Sequence, residues 1–134
     1  MKKYDNYKSH LTVLNRAYQE DLNNEFIISG IIDKFFIQFE LGWKVLKELL
    51  SYEGRVEAQS GSPREILKAA YACFDFVDEQ AWLAMLKQRN NTTHIYDENA
   101  AKELLDKILK EYIPVFVKMG TEIEKQYGNM LEKL

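Results

Sequence analysis

Arg89, Asn90, His94 and Tyr96 fall together in the stretch RNNTTHIYDE, residues 89 to 98. Histidine titrates near pH 6.5, about where a side chain can both take and give a proton at neutral pH. Arginine is a permanent cation whose planar fork matches two phosphate oxygens. An asparagine amide can fix a hydroxyl or a phosphate. Brought together, these groups suit metal-free cleavage of RNA. A base would remove the 2′-hydroxyl proton, and a cation would stabilise the charge that builds on phosphorus. A plainer reading stands beside this one. Arg and His favour a helix C-terminus through its dipole, and Asn suits a turn.

Other chemistries lack their residues. There is no glycine-rich phosphate loop, no nucleotide fingerprint and no Gly-x-Ser-x-Gly elbow. No Cys/His cluster has zinc spacing, and His10 and His94 are far apart in the chain. No metal and no cofactor is expected. His10 reads as a surface residue on the polar side of the first helix. The single cysteine, Cys73, cannot form an internal disulfide and reads as a small buried apolar residue.

The net charge of −3 argues against non-specific binding of duplex DNA, which needs a dominant positive field. It leaves room for a small local RNA site, and Lys87 and Arg89 give the corner some basic character. The N-terminal MKKYDNYKSH has no apolar core of a signal peptide, and no apolar run is long enough to span a bilayer. A cytoplasmic protein without membrane association is expected.

The elements that must position the corner read as all-α. The 134 residues suffice for one domain, 1–134, with one core. Tyr4, Tyr7, Leu11, Leu14 and Tyr18 recur at helical steps and predict a first helix from about Lys2 to Leu22. Asp21 to Asn24 makes a polar break. The second helix, from about Glu25 to Tyr52, carries a broad stripe of Ile28, Ile31, Ile32, Phe35, Phe39, Trp43, Leu46 and Leu50. A second stripe, Ile37, Leu41 and Val45, asks for another partner, which points to a homodimer. Gly30 and Gly42 cost helix stability and imply close approach of a neighbouring helix. Gly54 is a natural stop.

VEAQSGSP (56–63) reads as a loop, and Ser62-Pro63-Arg64-Glu65 as a capping box that opens a short helix. Asp78 caps the next, which ends near Arg89. The last helix runs from about Asp97 to Tyr127, and Pro114 should kink it by removing the bond to the Lys110 carbonyl. Glu103–Lys107 and Asp106–Lys110 are i,i+4 pairs on a solvated face. Three long helices and two short ones predict an antiparallel up-and-down four-helix bundle.

The segments Phe39-Glu40-Leu41-Gly42-Trp43-Lys44, SPREILKAAY (62–71) and WLAMLKQRNNTTHIYDE (82–98) resemble the nucleotidyltransferase substrate-binding protein family, a branch of the HEPN superfamily. The resemblance covers nearly the whole chain. Its most specific element is the Arg-x4-His pattern of Arg89 and His94, continued as His-x-Tyr through Tyr96. The resemblance implies a dimerising helical bundle that works with a minimal nucleotidyltransferase. It implies an endoribonuclease toxin with Arg89 and His94 as catalytic residues and Asn90 assisting. Tyr96 would receive AMP from the partner enzyme, which silences the toxin. The family's older label implies instead a non-catalytic subunit that binds a nucleotide or other substrate for the transferase.

Overall fold

In the computed structural model, which describes residues 1–134, the axis of the molecule is the long helix that precedes Gly54. In chain order the helices are α1 (Lys2–Leu14), α2 (Glu25–Tyr52), α3 (Glu57–Ser60), α4 (Pro63–Cys73), α5 (Glu79–Asn90), α6 (Thr93–Tyr96), α7 (Glu98–Lys107) and α8 (Ile113–Tyr127). The fold is an all-α helical bundle, as expected. No helix is long and apolar enough to cross a membrane.

Local chemistry explains the element ends. Asn24 Oδ1 accepts from the backbone N–H of Phe26 at 2.9 Å and starts α2. Gly54 ends it with φ of 75°, a conformation only glycine adopts without strain. Ser62 Oγ accepts from the N–H of Glu65 and donates to the Glu65 carboxylate at 3.2 Å, with Pro63 in the first turn. The glutamate thus reaches back to the cap hydroxyl. Asp78 caps α5 through the N–H of Ala81.

α1 runs antiparallel to α2. Lys3 pairs with Glu48, and His10 lies opposite Gln38. α1 is also antiparallel to α8, because the Tyr4 hydroxyl donates to the Gly120 carbonyl and the Tyr7 hydroxyl to that of Phe116. α4 and α5 form a hairpin on the remaining side of α2. Fully buried aromatic rings tie the legs together. Phe35 stacks on Tyr112 at 5.2 Å, and Trp82 meets Phe116 edge to face at 5.5 Å.

Several expectations need correction. The first helix is α-helical only to Leu14, and residues 15–19 tighten to a 3₁₀ turn. Tyr18 is therefore half-exposed, and its hydroxyl donates to the Leu109 carbonyl. The last helix is broken by a π turn (Ile108–Tyr112) just ahead of Pro114, which has no N–H to continue the ladder. The extra residue in that turn lets Ile108, Tyr112 and Ile113 all face the core. Of the second α2 stripe, Val45 is fully buried within the chain, while Ile37 is half-exposed. Trp43, placed in the core stripe from sequence, is only partly buried, and so is Cys73. Asp106–Lys110 pairs as expected, Glu103–Lys107 does not, and Lys102 pairs with Glu98.

His10 is also not a free surface residue. Its Nδ1 lies 2.7 Å from Gln38 Oε1, and its Nε2 is buried without a partner. Gln38 is the one fully buried polar side chain, and its Nε2 donates to the Tyr7 carbonyl at 3.0 Å. The Gln38 amide is thus satisfied on both sides, while the His10 ring is satisfied only through Nδ1.

The two helical glycines of α2 differ. A Cβ at Gly42 would lie 2.5 Å from the Trp82 ring and 3.2 Å from Tyr7. A Cβ at Gly30 would meet nothing within 4 Å. Close approach thus holds for Gly42 and not for Gly30. Gly42→Ala is expected to destabilise the fold by about 1–3 kcal/mol through overpacking. Gly30→Ala should stabilise it by about 0.5–1 kcal/mol. The shift of the urea midpoint at constant slope reads both. A second prediction follows from the buried phenols. Burial, then nearby groups, raises the pKa of Tyr7 and Tyr4 above the ordinary value. The unfolded chain therefore loses these protons first, near pH 10, and folding stability falls as pH rises beyond that. Urea midpoints at pH 8 and pH 11 should converge more closely in Tyr7→Phe than in the parent chain.

Candidate functional site

The stretch 89–98 is a built corner. α5 ends at Asn90, and the next residue, Asn91, turns the chain. Its Oδ1 accepts from the Thr93 N–H at 3.0 Å and from the Thr93 hydroxyl at 2.7 Å. That turn opens the single turn of α6, which presents His94, Ile95 and Tyr96. Asp97 then caps α7 by accepting from the N–H groups of Asn99 and Ala100. Of the two consecutive asparagines, Asn91 serves the turn and Asn90 is left exposed.

The corner is laid along α2. Arg89 Nε is 2.7 Å from Glu40 Oε1, and its guanidinium lies 6.0 Å from the centre of the buried Phe39 ring. Glu40 is itself held, because Trp43 Nε1 donates to Oε2 at 2.9 Å. One turn earlier on α2, Phe36 faces the imidazole of His94, with ring centres 5.2 Å apart. Residues four apart on a helix are neighbours, so Phe36 and Glu40 bring His94 and Arg89 to one side of α2. Both line one cleft of about 510 Å³, together with Asp33, Thr92 and Ile95.

Electrostatically the site is mixed. Arg89 sits in the last turn of α5, where the helix dipole favours a cation, and Lys87 stands beside it. Glu40 and Asp33 bring two carboxylates to the same neighbourhood. The Arg89–Glu40 pair is about one-third exposed on each side, so it positions the guanidinium more than it stabilises the fold. An imidazole and an oriented guanidinium on one cleft can transfer a proton and bind a phosphate oxygen.

The expected residues are thus not all in one place. Arg89 and His94 share the cleft. Asn90 does not line it; it lies on a second groove, also walled by Arg89, with Ser62 and Arg64. Tyr96 projects into solvent with 87% of its surface exposed, two residues beyond His94. Glu40 and Phe36 were not expected at the site. Their signal was the spacing of Asp33, Phe36, Glu40 and Trp43, steps of three and four beside the core stripe. Glu40 also lay within a segment that carried the family resemblance.

The fold is that of a small all-α bundle with a cleft at one helix corner. Residues 2–125 match the model of the family described as nucleotidyltransferase substrate binding protein like. The match spans nearly all of the chain, which therefore belongs to that family. No curated protein matches the chain.

Glu40→Gln tests the geometry. It is expected to change unfolding free energy by less than about 1 kcal/mol, because the pair is part-exposed. Trp43 fluorescence should nevertheless shift, since the indole N–H loses its charged acceptor. A loss of several kcal/mol would instead make the pair a structural keystone.

Proposed function

We propose that the chain is a HEPN-type partner of a minimal nucleotidyltransferase and acts as a metal-independent endoribonuclease silenced by AMP transfer to Tyr96. The observation that carries this reading is that Arg89 and His94 line the same cleft. His94 would remove the 2′-hydroxyl proton of the substrate ribose. The 2′-oxygen then attacks phosphorus, the bond to the 5′-oxygen breaks, and the leaving oxygen takes a proton from an acid or water. Arg89 would hold the non-bridging oxygens as charge builds on them. A homodimer formed through the exposed apolar side chains of α2, Phe26 and Ile37 among them, would bring two such corners together. Asn90 would assist by binding an adjacent part of the substrate.

Tyr96 suits modification because its phenol is open to an incoming enzyme. Its oxygen would attack the α-phosphorus of ATP, releasing pyrophosphate and the phenolic proton. The added phosphate would place bulk and negative charge beside Arg89 and block RNA.

A second reading is a non-catalytic subunit that binds a nucleotide or other substrate for the transferase. Glu40 favours it, because an arginine already paired to a carboxylate is a fixed binding group in an acidic neighbourhood. Both readings place the chain with a nucleotidyltransferase, as the family description does.

Cleavage of RNA by the unmodified protein decides between them. The endoribonuclease reading expects 2′,3′-cyclic phosphate ends. It expects a loss of about 10²–10⁴ in rate for His94→Ala and about 10²–10³ for Arg89→Ala, with helical content retained. Incubation with the partner enzyme and ATP should add AMP to Tyr96 and stop cleavage, while Tyr96→Phe escapes silencing. Intact RNA, with nucleotide binding that Arg89→Ala weakens, would replace this reading by the second.

A further inference from the structure

Arg89 is the wall between two depressions, and the second is larger than the cleft that holds His94. It is a groove of about 670 Å³ between the start of α4 and the last turns of α5. Ser62, Arg64, Leu83, Lys87, Arg89 and Asn90 are among its lining residues. Three of these are cations. Arg64 and Lys87 are exposed and pair with no carboxylate of the chain, and the only acid on Arg89 is Glu40, from the α2 side. Glu65, next to Arg64, is drawn to the Ser62 hydroxyl. No acidic residue lines the groove. In a chain of net charge −3, Arg64 and Lys87 place uncompensated positive charge here, beside the Glu40-paired Arg89.

We propose that this groove is the track for a single RNA strand, with Arg64 and Lys87 on its phosphates, Asn90 on a sugar or base edge, and Arg89 handing the strand to the His94 cleft. The proposal rests on the endoribonuclease reading and adds where the rest of the substrate lies. A polyanion that enters the His94 cleft past Arg89 must continue on the other side of that side chain. The groove there is lined by cations and by apolar Leu83, Ala84 and Leu86, which suit a base or ribose face. A mononucleotide would fill one depression or the other. A strand uses both, which accounts for Arg89 facing each and for Asn90 lying away from His94. Arg64 also acquires a role, as a binding residue from a segment that otherwise only opens a helix.

The test uses the full-length protein with His94→Ala to prevent cleavage, and a fluorescent single-stranded RNA about twelve nucleotides long. Anisotropy gives its affinity across a salt series. Arg64→Ala/Lys87→Ala, both surface changes, should weaken binding about tenfold near 0.1 M salt and reduce the salt slope by about 1.4. Lys118→Ala/Lys125→Ala on α8, outside the groove, should leave both unchanged. Thermal melts confirm that each variant is folded. If RNA binds and the Arg64/Lys87 variant binds it equally well, the track is wrong while the endoribonuclease reading stands. If RNA binds to no variant and the parent chain cuts none, both fall together. If the double variant loses ATP binding but keeps RNA binding, the groove is a nucleotide pocket and the track is overturned.

Discussion

Everything at the corner depends on how closely α5 approaches α2, and the contact of Trp82 with Gly42 sets that distance. The indole is fully buried and touches the α2 backbone where no side chain intervenes. It also packs on Phe39 and against Phe116. Two turns along α5 from Trp82 stands Arg89, which reaches Glu40 and Phe39. The chain then turns and lays His94 on Phe36, and Ala101 lines the same cleft as Ser29 and Asp33. From Trp82 to Ala101 the chain descends α2 from Gly42 toward its N-terminal third. A shift of α5 away from α2 would move each of these pairs by the same displacement.

That geometry is supported from the far side by α1 and α8. The Tyr4 and Tyr7 hydroxyls donate to α8 carbonyls one turn apart, while the Tyr7 ring lies close to Gly42. One side chain therefore touches the same point on α2 that receives Trp82 and also fixes the helix that carries Phe116. Buried hydroxyls must find acceptors, and carbonyls already bonded within a helix retain a second lone pair. The bundle is thus locked around Gly42 by packing and by hydrogen bonds of defined direction. The corner itself contributes little to the core, since none of the α6 residues is fully buried. It is held by an Asx turn, a cap and one ion pair, which leaves its side chains available to a ligand.

Much of the fold was legible because it is written in local chemistry. Asn24, Gly54, Ser62 with Glu65, Asp78 and Asp97 start and stop helices through bonds within a few residues. The core stripe of α2 was legible because periodicity reports burial. Other features were not. His10 looked like a surface residue because nothing in its neighbours reveals Gln38, which is brought to it by antiparallel packing. Gly30 and Gly42 look alike in sequence, and only the placement of Trp82 distinguishes them. Val45 belongs by spacing to a second face, yet packing within the chain buries it fully.

The candidate site divides in the same way. The sequence by itself determined that Arg89, Asn90, His94 and Tyr96 would stand where one helix ends and the next begins, because caps and turn residues act over three or four positions. It also carried the family, through segments that need no coordinates. Tertiary structure alone decided that Arg89 meets Glu40, that His94 meets Phe36, and that Asn90 faces away with Arg64. These juxtapositions join residues about 25 to 60 positions apart, and their partners are chosen by helix packing, whose register depends on side-chain volume at Gly42 and Trp82.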